Sequence, residues 1–334
     1  MVDKELLYGT LKKYFGYDSF REGQEELITN TLQGKDVLGI MPTSGGKSLC
    51  YQLPALLLDG MTIVVSPLVS LMKDQVDSLR EMGIAAAYLN STLSREEFLQ
   101  LMDDMRSGQL KLLYIAPERI DNESFMNALR FVNVPLLVVD EAHCISQWGS
   151  DFRPSYQGVA RLYDVFGRRP RVAAFTATAT EPVQDDIMIQ LRLQQPFRLV
   201  TGFDRSNLAF SVEKPADKFK FLVKDLNPKE ASIIYCSTRK NVESVQKKLE
   251  QKGFAVTLYH AGLPEHERQR NQDDFLFDRK PIMVATNAFG MGIDKSNVRT
   301  VYHYNMPKNI ESYYQEAGRA GRDGEEARVI LLFS

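Results

Sequence analysis

Cysteine is scarce in this sequence of 334 residues, with only Cys50, Cys144 and Cys236 present, far apart and without a Cys-x-x-Cys pair. An odd number of cysteines at these spacings argues against a disulfide framework and against a zinc site formed by neighbouring cysteines in the sequence. We therefore expect all three to be reduced thiols in the protein core.

Long apolar runs are also missing. The longest stretches without Asp, Glu, Lys or Arg have 13 residues, for example 60–72, whereas a membrane-spanning helix needs about 18 to 20 apolar residues. The first five residues, MVDKE, place acidic side chains where a secretory signal has its basic region. We expect no membrane partner and a cytoplasmic location.

The sequence has no excess of one charge sign, since 41 Lys and Arg against 43 Asp and Glu give a net charge of −2. The overall charge therefore does not predict a polyanionic partner, and any nucleic-acid site must be local. Hydrophobic residues make up 44% and charged residues 25% of the chain, which is typical of folded globular proteins. At about 150 residues per domain, the length predicts about two domains.

Short apolar, β-branched runs recur in both halves of the chain, and helical stretches such as 70–82 and 94–106 separate them. This alternation predicts an α/β fold with two doubly wound parallel sheets, in domains 1–204 and 205–334, divided after a polar segment at 193–198. The predicted strands are 36–41, 62–66, 111–116, 136–140, 172–176, 232–236, 255–259, 282–286, 300–304 and 328–333.

A glycine-rich loop follows the first predicted strand and precedes a helical stretch. Glycines allow backbone N–H groups to face a polyphosphate at a helix N-terminus, where a lysine reaches the β- and γ-phosphates and a serine hydroxyl ligates Mg²⁺. Met41 stands where the strict pattern has its first glycine, so a fortuitous turn remains an alternative. The candidate nucleotide-binding residues are Thr43, Ser44, Gly45, Gly46, Lys47 and Ser48.

Two carboxylates, Asp140 and Glu141, follow the apolar run 136–140. The carboxyl ends of parallel strands form the ligand-binding edge of an open sheet, so Asp140 would hold Mg²⁺ together with Ser48. Glu141 would orient or deprotonate the attacking water. Two acids after a strand are commonly a solvated turn, but their combination with the glycine-rich loop favours nucleotide hydrolysis.

Further motifs run along nearly the whole chain, namely FGYDSFREGQ at 15–24, SPLVSLMKDQ at 66–75, YIAPER at 114–119, DEAH at 140–143, FTATAT at 175–180 and QEAGRAGRDG at 315–324. Together they resemble the motifs of the superfamily 2 helicases and, within them, the RecQ DNA helicases. A further block, CISQWGSDFRP at 144–154, resembles the aromatic-rich loop that distinguishes RecQ enzymes. The resemblance implies two tandem RecA-like domains with an ATP cleft between them.

The resemblance also implies roles for residues at both ends of the chain. Tyr17, Arg21 and Gln24 match the positions that grip adenine, although they would also suit an ordinary amphipathic helix. Arg319 and Arg322 match the last helicase motif, in which an arginine from the second domain stabilises charge on the γ-phosphate. Gln315, in the same motif, completes the predicted catalytic set of Lys47, Asp140, Glu141, Gln315, Arg319 and Arg322.

The aromatic-rich loop combines two rings and a cation in Trp148, Phe152 and Arg153, which suits stacking on unpaired bases and contact with phosphate. A lone tryptophan is more often a core anchor, but the flanking glycine and proline favour a loop. We expect His143 to couple the ATP site to this loop rather than to bind a metal, since no Cys/His set adjoins it.

The resemblance implies an ATP- and Mg²⁺-dependent 3′ to 5′ DNA helicase core that acts as a monomer on single-stranded and partly duplex DNA in repair and recombination, in a bacterial cytoplasm or nucleoid. It leaves open whether single-strand-binding or repair proteins bind. Two alternatives are an RNA helicase and an ATP-gated nucleic-acid clamp that does not unwind.

The sequence departs from the family pattern at Ser44, Ser150 and Ser206, which replace the usual Gly, His and Pro. Many RecQ enzymes continue into zinc-binding, winged-helix and further helical modules. We accordingly expect either an excised catalytic core or a short member of the family.

Overall fold

The computed structural model describes residues 2–42, 45–67, 69–89, 93–149, 151–202, 205–289 and 295–333. The contacts between residues separate the chain into two compact units, 1–203 and 204–334. Each unit is an α/β domain with its own parallel sheet. The predicted fold class is therefore confirmed.

The first unit contains a seven-stranded sheet with the order β3-β4-β2-β5-β6-β1-β7, in which all neighbouring strands are parallel. The strands are β1 (Val37–Ile40), β2 (Thr62–Val65), β3 (Ala86–Leu89), β4 (Leu112–Ile115), β5 (Leu136–Val139), β6 (Arg171–Thr176) and β7 (Phe197–Val200). The α-helices are α1 (Lys4–Thr10), α2 (Gln24–Leu32), α3 (Leu49–Leu57), α4 (Val69–Glu81), α5 (Arg95–Arg106), α6 (Glu123–Leu129) and α7 (Glu181–Gln190). A π-helical turn (Leu11–Phe15) and 3₁₀ segments (Pro117–Asp121, Ala142–Ile145 and Pro154–Asp164) connect them.

Both faces of this sheet are buried, because successive strand residues point to opposite faces. In β2, Ile63 and Val65 belong to the cluster that α5, α6 and α7 cover. Val64 belongs to the other cluster, which α1, α2, α3 and α4 cover. Burial on both faces explains why the central strands read as unbroken apolar runs in the sequence.

The second unit repeats this plan with a six-stranded sheet of order β10-β11-β9-β12-β13-β8. Its apolar side chains again form one cluster on each face of the sheet. The strands are β8 (Leu208–Glu213), β9 (Ser232–Tyr235), β10 (Val256–Tyr259), β11 (Ile282–Ala285), β12 (Thr300–His303) and β13 (Ala327–Leu332). The helices are α8 (Lys218–Asp225), α9 (Arg239–Gln251), α10 (Glu265–Leu276) and α11 (Ile310–Ala317).

All of the predicted strands form, but three strands were missed, namely β3, β7 and β8. Each of the three lies at the edge of its sheet. Strands β7 and β8 contain only half-buried and exposed positions, so they show no continuous apolar run. The polar segment at 193–198, which precedes the predicted boundary, overlaps the start of β7 at Phe197.

Local sequence signals set the start of α5 close to its predicted position. The Ser94 hydroxyl accepts a hydrogen bond from Glu97 N, and the Glu97 carboxylate accepts one from Ser94 N, which forms a capping box. All three cysteines are buried and make no disulfide, as predicted. Among the described residues, no helix has both the length and the apolar character to cross a membrane.

A buried aspartate ties the amino ends of the central strands together. The Asp36 carboxylate, 3% exposed, accepts hydrogen bonds from Arg169 Nη2 at 2.7 Å and from the backbone N–H groups of Val172 at 2.8 Å and Gln194 at 2.7 Å. A buried charge with these partners is fully satisfied. The opposite edge, where the strands end, carries the candidate site.

Candidate active site

Strand β1 runs into the glycine-rich loop, and α3 follows directly after Ser48. Gly46 has a φ of +69°, which a residue with a side chain rarely adopts. A Cβ atom at Gly45 would lie 3.0 Å from Pro42 O, so this position also favours glycine. The predicted residues Thr43 and Ser44 lie outside the described residues.

Lys47 lies in this loop with only 9% of its surface exposed. Its Nζ is 4.0 Å from Glu141 Oε1 and makes no hydrogen bond to any part of the chain that the structure describes. A buried ammonium group is costly unless an anion and hydrogen-bond acceptors satisfy it. The phosphate oxygens of a nucleotide would supply both.

Asp140 follows β5 and lies buried on the same edge of the sheet. Its N–H donates to Val65 O at 2.9 Å, and its carbonyl accepts from the Tyr156 hydroxyl at 2.9 Å. Burial, and then the neighbouring Glu141 carboxylate, raise the pKa of Asp140 to about 7. Two adjacent carboxylates, of which Asp140 is buried and Glu141 half-buried, favour a divalent cation, and the Asp140 and Ser48 oxygens are ligands that suit Mg²⁺.

Glu141 has a φ of +47°, an uncommon conformation for a residue other than glycine. Such backbone strain is concentrated at functional sites. Its Oε2 lies 3.4 Å from His143 Nδ1, which also contacts Thr176 Oγ1 at the end of β6 at 2.7 Å. His143 therefore joins the ends of two neighbouring strands beside the carboxylates.

Gln24 contacts the glycine-rich loop directly. Its Nε2 donates to Gly45 O at 3.1 Å and to Gly46 O at 3.2 Å, and its Oε1 accepts from Arg21 N at 2.8 Å. Both ends of the Gln24 amide therefore make hydrogen bonds within the protein. The sequence assigned Gln24 to adenine and did not predict these bonds. Tyr17 and Arg21 are exposed, and their contact with adenine stays a prediction.

The aromatic-rich loop leaves Trp148 80% exposed, which is inconsistent with a core anchor. The next residue, Gly149, packs closely against the backbone of His143, because an added Cβ would lie 2.5 Å from His143 O. Phe152 is half-buried. Arg153 donates to Pro67 O at 3.0 Å and pairs with Asp151 at 3.0 Å, so this predicted phosphate ligand also holds its own loop in place.

The second unit carries the other predicted catalytic residues at the end of α11. Gln315 is half-buried in that helix, Arg319 is buried, and Arg322 is half-buried in the turn that follows. Because these residues belong to the second unit, their contact with the nucleotide stays a prediction.

Two residues missed by sequence reasoning hold this turn. Arg205 Nη2 donates to Ala320 O at 3.0 Å and to Gly321 O at 2.7 Å. Asn207 Nδ2 donates to Gly321 O at 2.9 Å and to Glu325 O at 2.8 Å. Neither residue shows a sequence signal beyond its place just after the predicted boundary.

A buried pair also anchors α11 to its sheet. His303 Nε2, at the end of β12, lies 3.0 Å from Glu316 Oε2, and His303 is completely buried. This contact lies between β12 and the helix that carries Gln315.

Comparison with known proteins defines the class of this protein. The DEAD/DEAH box helicase family matches residues 21–186, and the helicase conserved C-terminal domain matches residues 217–324. The chain therefore contains both halves of a helicase core.

Individual relatives identify the family to which the chain belongs within this class of helicases. The ATP-dependent DNA helicase RecQ of Bacillus subtilis is 50% identical over 97% of this chain and 55% of its own length. RecQ of Haemophilus influenzae is 46% identical over 100% of this chain and 54% of its own length. The chain belongs to the RecQ helicase family, and it spans about half the length of these relatives, whose catalytic core it matches.

Solved structures share the fold at low identity. The DUF1998 helicase MrfA bound to DNA superimposes with a TM-score of 0.81 at 20% identity, over 99% of this chain and 51% of the other. Dbp5 of S. cerevisiae, bound to RNA and ADP BeF3, gives 0.75 at 20% identity, over 98% of this chain and 87% of the other. These likenesses show tandem RecA-like domains.

Proposed function

We propose that this chain is the catalytic core of an ATP-dependent DNA helicase, which couples Mg-ATP hydrolysis to 3′ to 5′ translocation on single-stranded DNA and to duplex unwinding. The observation that carries the proposal is the buried Lys47 ammonium group beside two carboxylates at the carboxyl edge of the sheet. That arrangement suits a polyphosphate with its cation, and membership of the RecQ family supports DNA as the polymer.

The candidate site residues of the first unit each have a role in this proposal. The backbone around Gly45 and Gly46 and the Lys47 ammonium group hold the β- and γ-phosphates. Ser48 and Asp140 would hold Mg²⁺, and the cation would neutralise part of the negative charge of the phosphates. Glu141 accepts a proton from the water that attacks the γ-phosphorus, while the bond to the β,γ-bridging oxygen breaks and ADP leaves.

The second unit carries the remaining residues of the proposed catalytic set. Its guanidinium groups, Arg319 and Arg322, stabilise the charge that develops on the transferred phosphoryl group. Gln315 belongs to the same predicted set. The hydrogen bonds from Asn207 to the turn support this role, because they limit the positions that Arg322 can take.

The aromatic-rich loop would connect DNA binding to hydrolysis. Trp148 presents its ring to solvent, where it can stack on an unpaired base, with Phe152 and Arg153 beside it in the loop. Arg153 N donates to Cys144 O at 2.8 Å, which ties the loop to the segment that follows Glu141. A base stacked on the loop can therefore influence Glu141 through this short connection.

The RNA helicase and clamp alternatives are not favoured, because the RecQ relatives are DNA helicases. The RNA-bound structure of Dbp5 does not support RNA as the polymer, because a likeness at about 20% identity bears on the fold alone. We extend the proposal to a monomer in the bacterial cytoplasm that acts on partly duplex DNA in repair and recombination.

The decisive experiment measures ATP hydrolysis without nucleic acid, with single-stranded DNA and with single-stranded RNA, followed by unwinding of duplexes with 3′ or 5′ tails. We expect stimulation by DNA and unwinding of the 3′-tailed duplex. Lys47→Ala should abolish hydrolysis without unfolding the protein, and Lys220→Ala, at an exposed position in α8, should match the parent. Equal stimulation by RNA, or ATP-dependent binding without unwinding, would contradict the proposal.

A further inference from the structure

Three potential metal ligands from two parts of the chain converge beside the candidate active site. His143 Nε2 lies 3.8 Å from Cys144 Sγ, and Cys144 Sγ lies 4.0 Å from Asp151 Oδ2. All three ligand atoms lie within 4.8 Å of one another. The sequence argued against a metal at His143, but folding brings Asp151 of the aromatic-rich loop to the His-Cys pair.

Hydrogen bonding fixes which nitrogen of His143 carries the proton. The Thr176 hydroxyl donates its single proton to Thr178 O at 3.2 Å, so its contact with His143 Nδ1 at 2.7 Å requires Nδ1–H as the donor. In the neutral ring, Nε2 then keeps its lone pair on the side of Cys144. Orientation of a histidine ligand through its other nitrogen is typical of metal sites.

The space between the three side chains is lined mainly by acceptors. Cys144 has one S–H proton, while His143 Nε2 and Asp151 Oδ2 both accept. Burial, and then the Asp151, Glu141 and Asp140 carboxylates, raise the pKa of the Cys144 thiol. A divalent cation would neutralise this negative environment, in which Arg153 is the opposing cation.

We propose that His143, Cys144 and Asp151 form a binding site for Zn²⁺, which joins the DEAH segment to the aromatic-rich loop. A thiolate and an imidazole select zinc over magnesium. Tetrahedral zinc holds its ligand atoms about 3.5 Å apart, so the two separations at Cys144 Sγ, 3.8 and 4.0 Å, need to close by a few tenths of an ångström. The third separation, between His143 and Asp151, is within 4.8 Å and needs to close by up to about 1.3 Å. Binding releases the Cys144 proton to solvent, and a water completes the coordination.

Arg153 shapes this site without blocking it. Its Nε and Nη2 both donate to Asp151 Oδ2, at 3.2 and 3.0 Å. The same Oδ2 lies 4.0 Å from Cys144 Sγ, so Asp151 would turn until Oδ1 takes the guanidinium and Oδ2 binds the metal. Because Arg153 also donates to Pro67 O, the loop stays attached to the sheet edge.

Zinc at this position would restrict the movement of the aromatic-rich loop, which carries Trp148. This consequence rests on the proposed function, because it assumes that the loop relays DNA binding to Glu141. We expect bound zinc to lower the DNA-stimulated rate of ATP hydrolysis more strongly than the basal rate.

The direct test titrates the tag-free full chain with Co²⁺, a spectroscopic probe for zinc sites, in the absence of ATP and DNA. We expect one equivalent to bind with a thiolate-to-cobalt charge-transfer band and the visible bands of tetrahedral cobalt. Cys144→Ser should remove the charge-transfer band, and Asp151→Asn should weaken binding by about tenfold or more. Cys50→Ser and Cys236→Ser, at the other buried cysteines, should bind like the parent.

Circular dichroism confirms that each variant is folded before its titration is interpreted. A parent without the charge-transfer band, or a folded Cys144→Ser that retains it, would overturn the site. Because this measurement uses neither ATP nor DNA, its result is independent of the proposed helicase activity.

The coupling role is tested separately by adding Zn²⁺ to the DNA-stimulated hydrolysis assay and normalising each variant to its own metal-free rate. We expect inhibition of the parent and of Cys236→Ser, and little inhibition of Cys144→Ser. Equal inhibition of all three would place the inhibitory zinc elsewhere and would refute the coupling role.

Discussion

Replacing Trp148 with alanine tests the coupling of DNA binding to ATP hydrolysis without disturbing the fold. Trp148 is 80% exposed, so its removal leaves no cavity, and the free energy of unfolding should change by no more than about 0.5 kcal/mol. Stacking of one base on an aromatic side chain contributes about 1 to 3 kcal/mol. At about 1.4 kcal/mol for each factor of ten, the DNA concentration for half-maximal activation should rise about 5- to 150-fold.

The assay measures ATP hydrolysis against single-stranded DNA concentration for the parent, Trp148→Ala and a matched control. Phe131→Ala is that control, because Phe131 is 79% exposed in the same unit but lies outside the loop. Basal hydrolysis should be the same in all three, and Trp148→Phe should recover part of the DNA response. Superimposable DNA titrations for Trp148→Ala and Phe131→Ala would refute the reasoning.

Three further substitutions test the catalytic carboxylate, the second unit and the core. Glu141→Gln should slow single-turnover ATP hydrolysis by about 10² to 10⁴-fold with nucleotide affinity retained; a rate equal to the parent's would exclude its role as base. Asn207→Ala removes both side-chain bonds to Gly321 and Glu325, which lie on either side of Arg322, and should lower kcat about tenfold with little change in KM; an unchanged kcat argues against a positioning role. Asp36→Ala should lower the free energy of unfolding in urea by about 3 to 5 kcal/mol, whereas Asp121→Ala, which breaks an exposed pair, should cost about 1 kcal/mol or less; equal losses would contradict the burial argument.

The sequence by itself determined the central strands, the order of the motifs and the local signals of the candidate site. Central strands such as β2 and β5 are buried on both faces, so their apolar character is continuous and visible in one chain. The capping box at Ser94 also reports local backbone geometry, because both of its hydrogen bonds lie within three residues.

Only the tertiary structure decided the edge strands and the contacts between distant segments. Because β7 and β8 are partly exposed, they lack the continuous apolar run that identifies a buried strand in the sequence. The bonds from Gln24 to the glycine-rich loop span more than 20 residues, and those from Asn207 to the turn span more than 110. Such contacts depend on how the elements pack, and no local pattern specifies that packing.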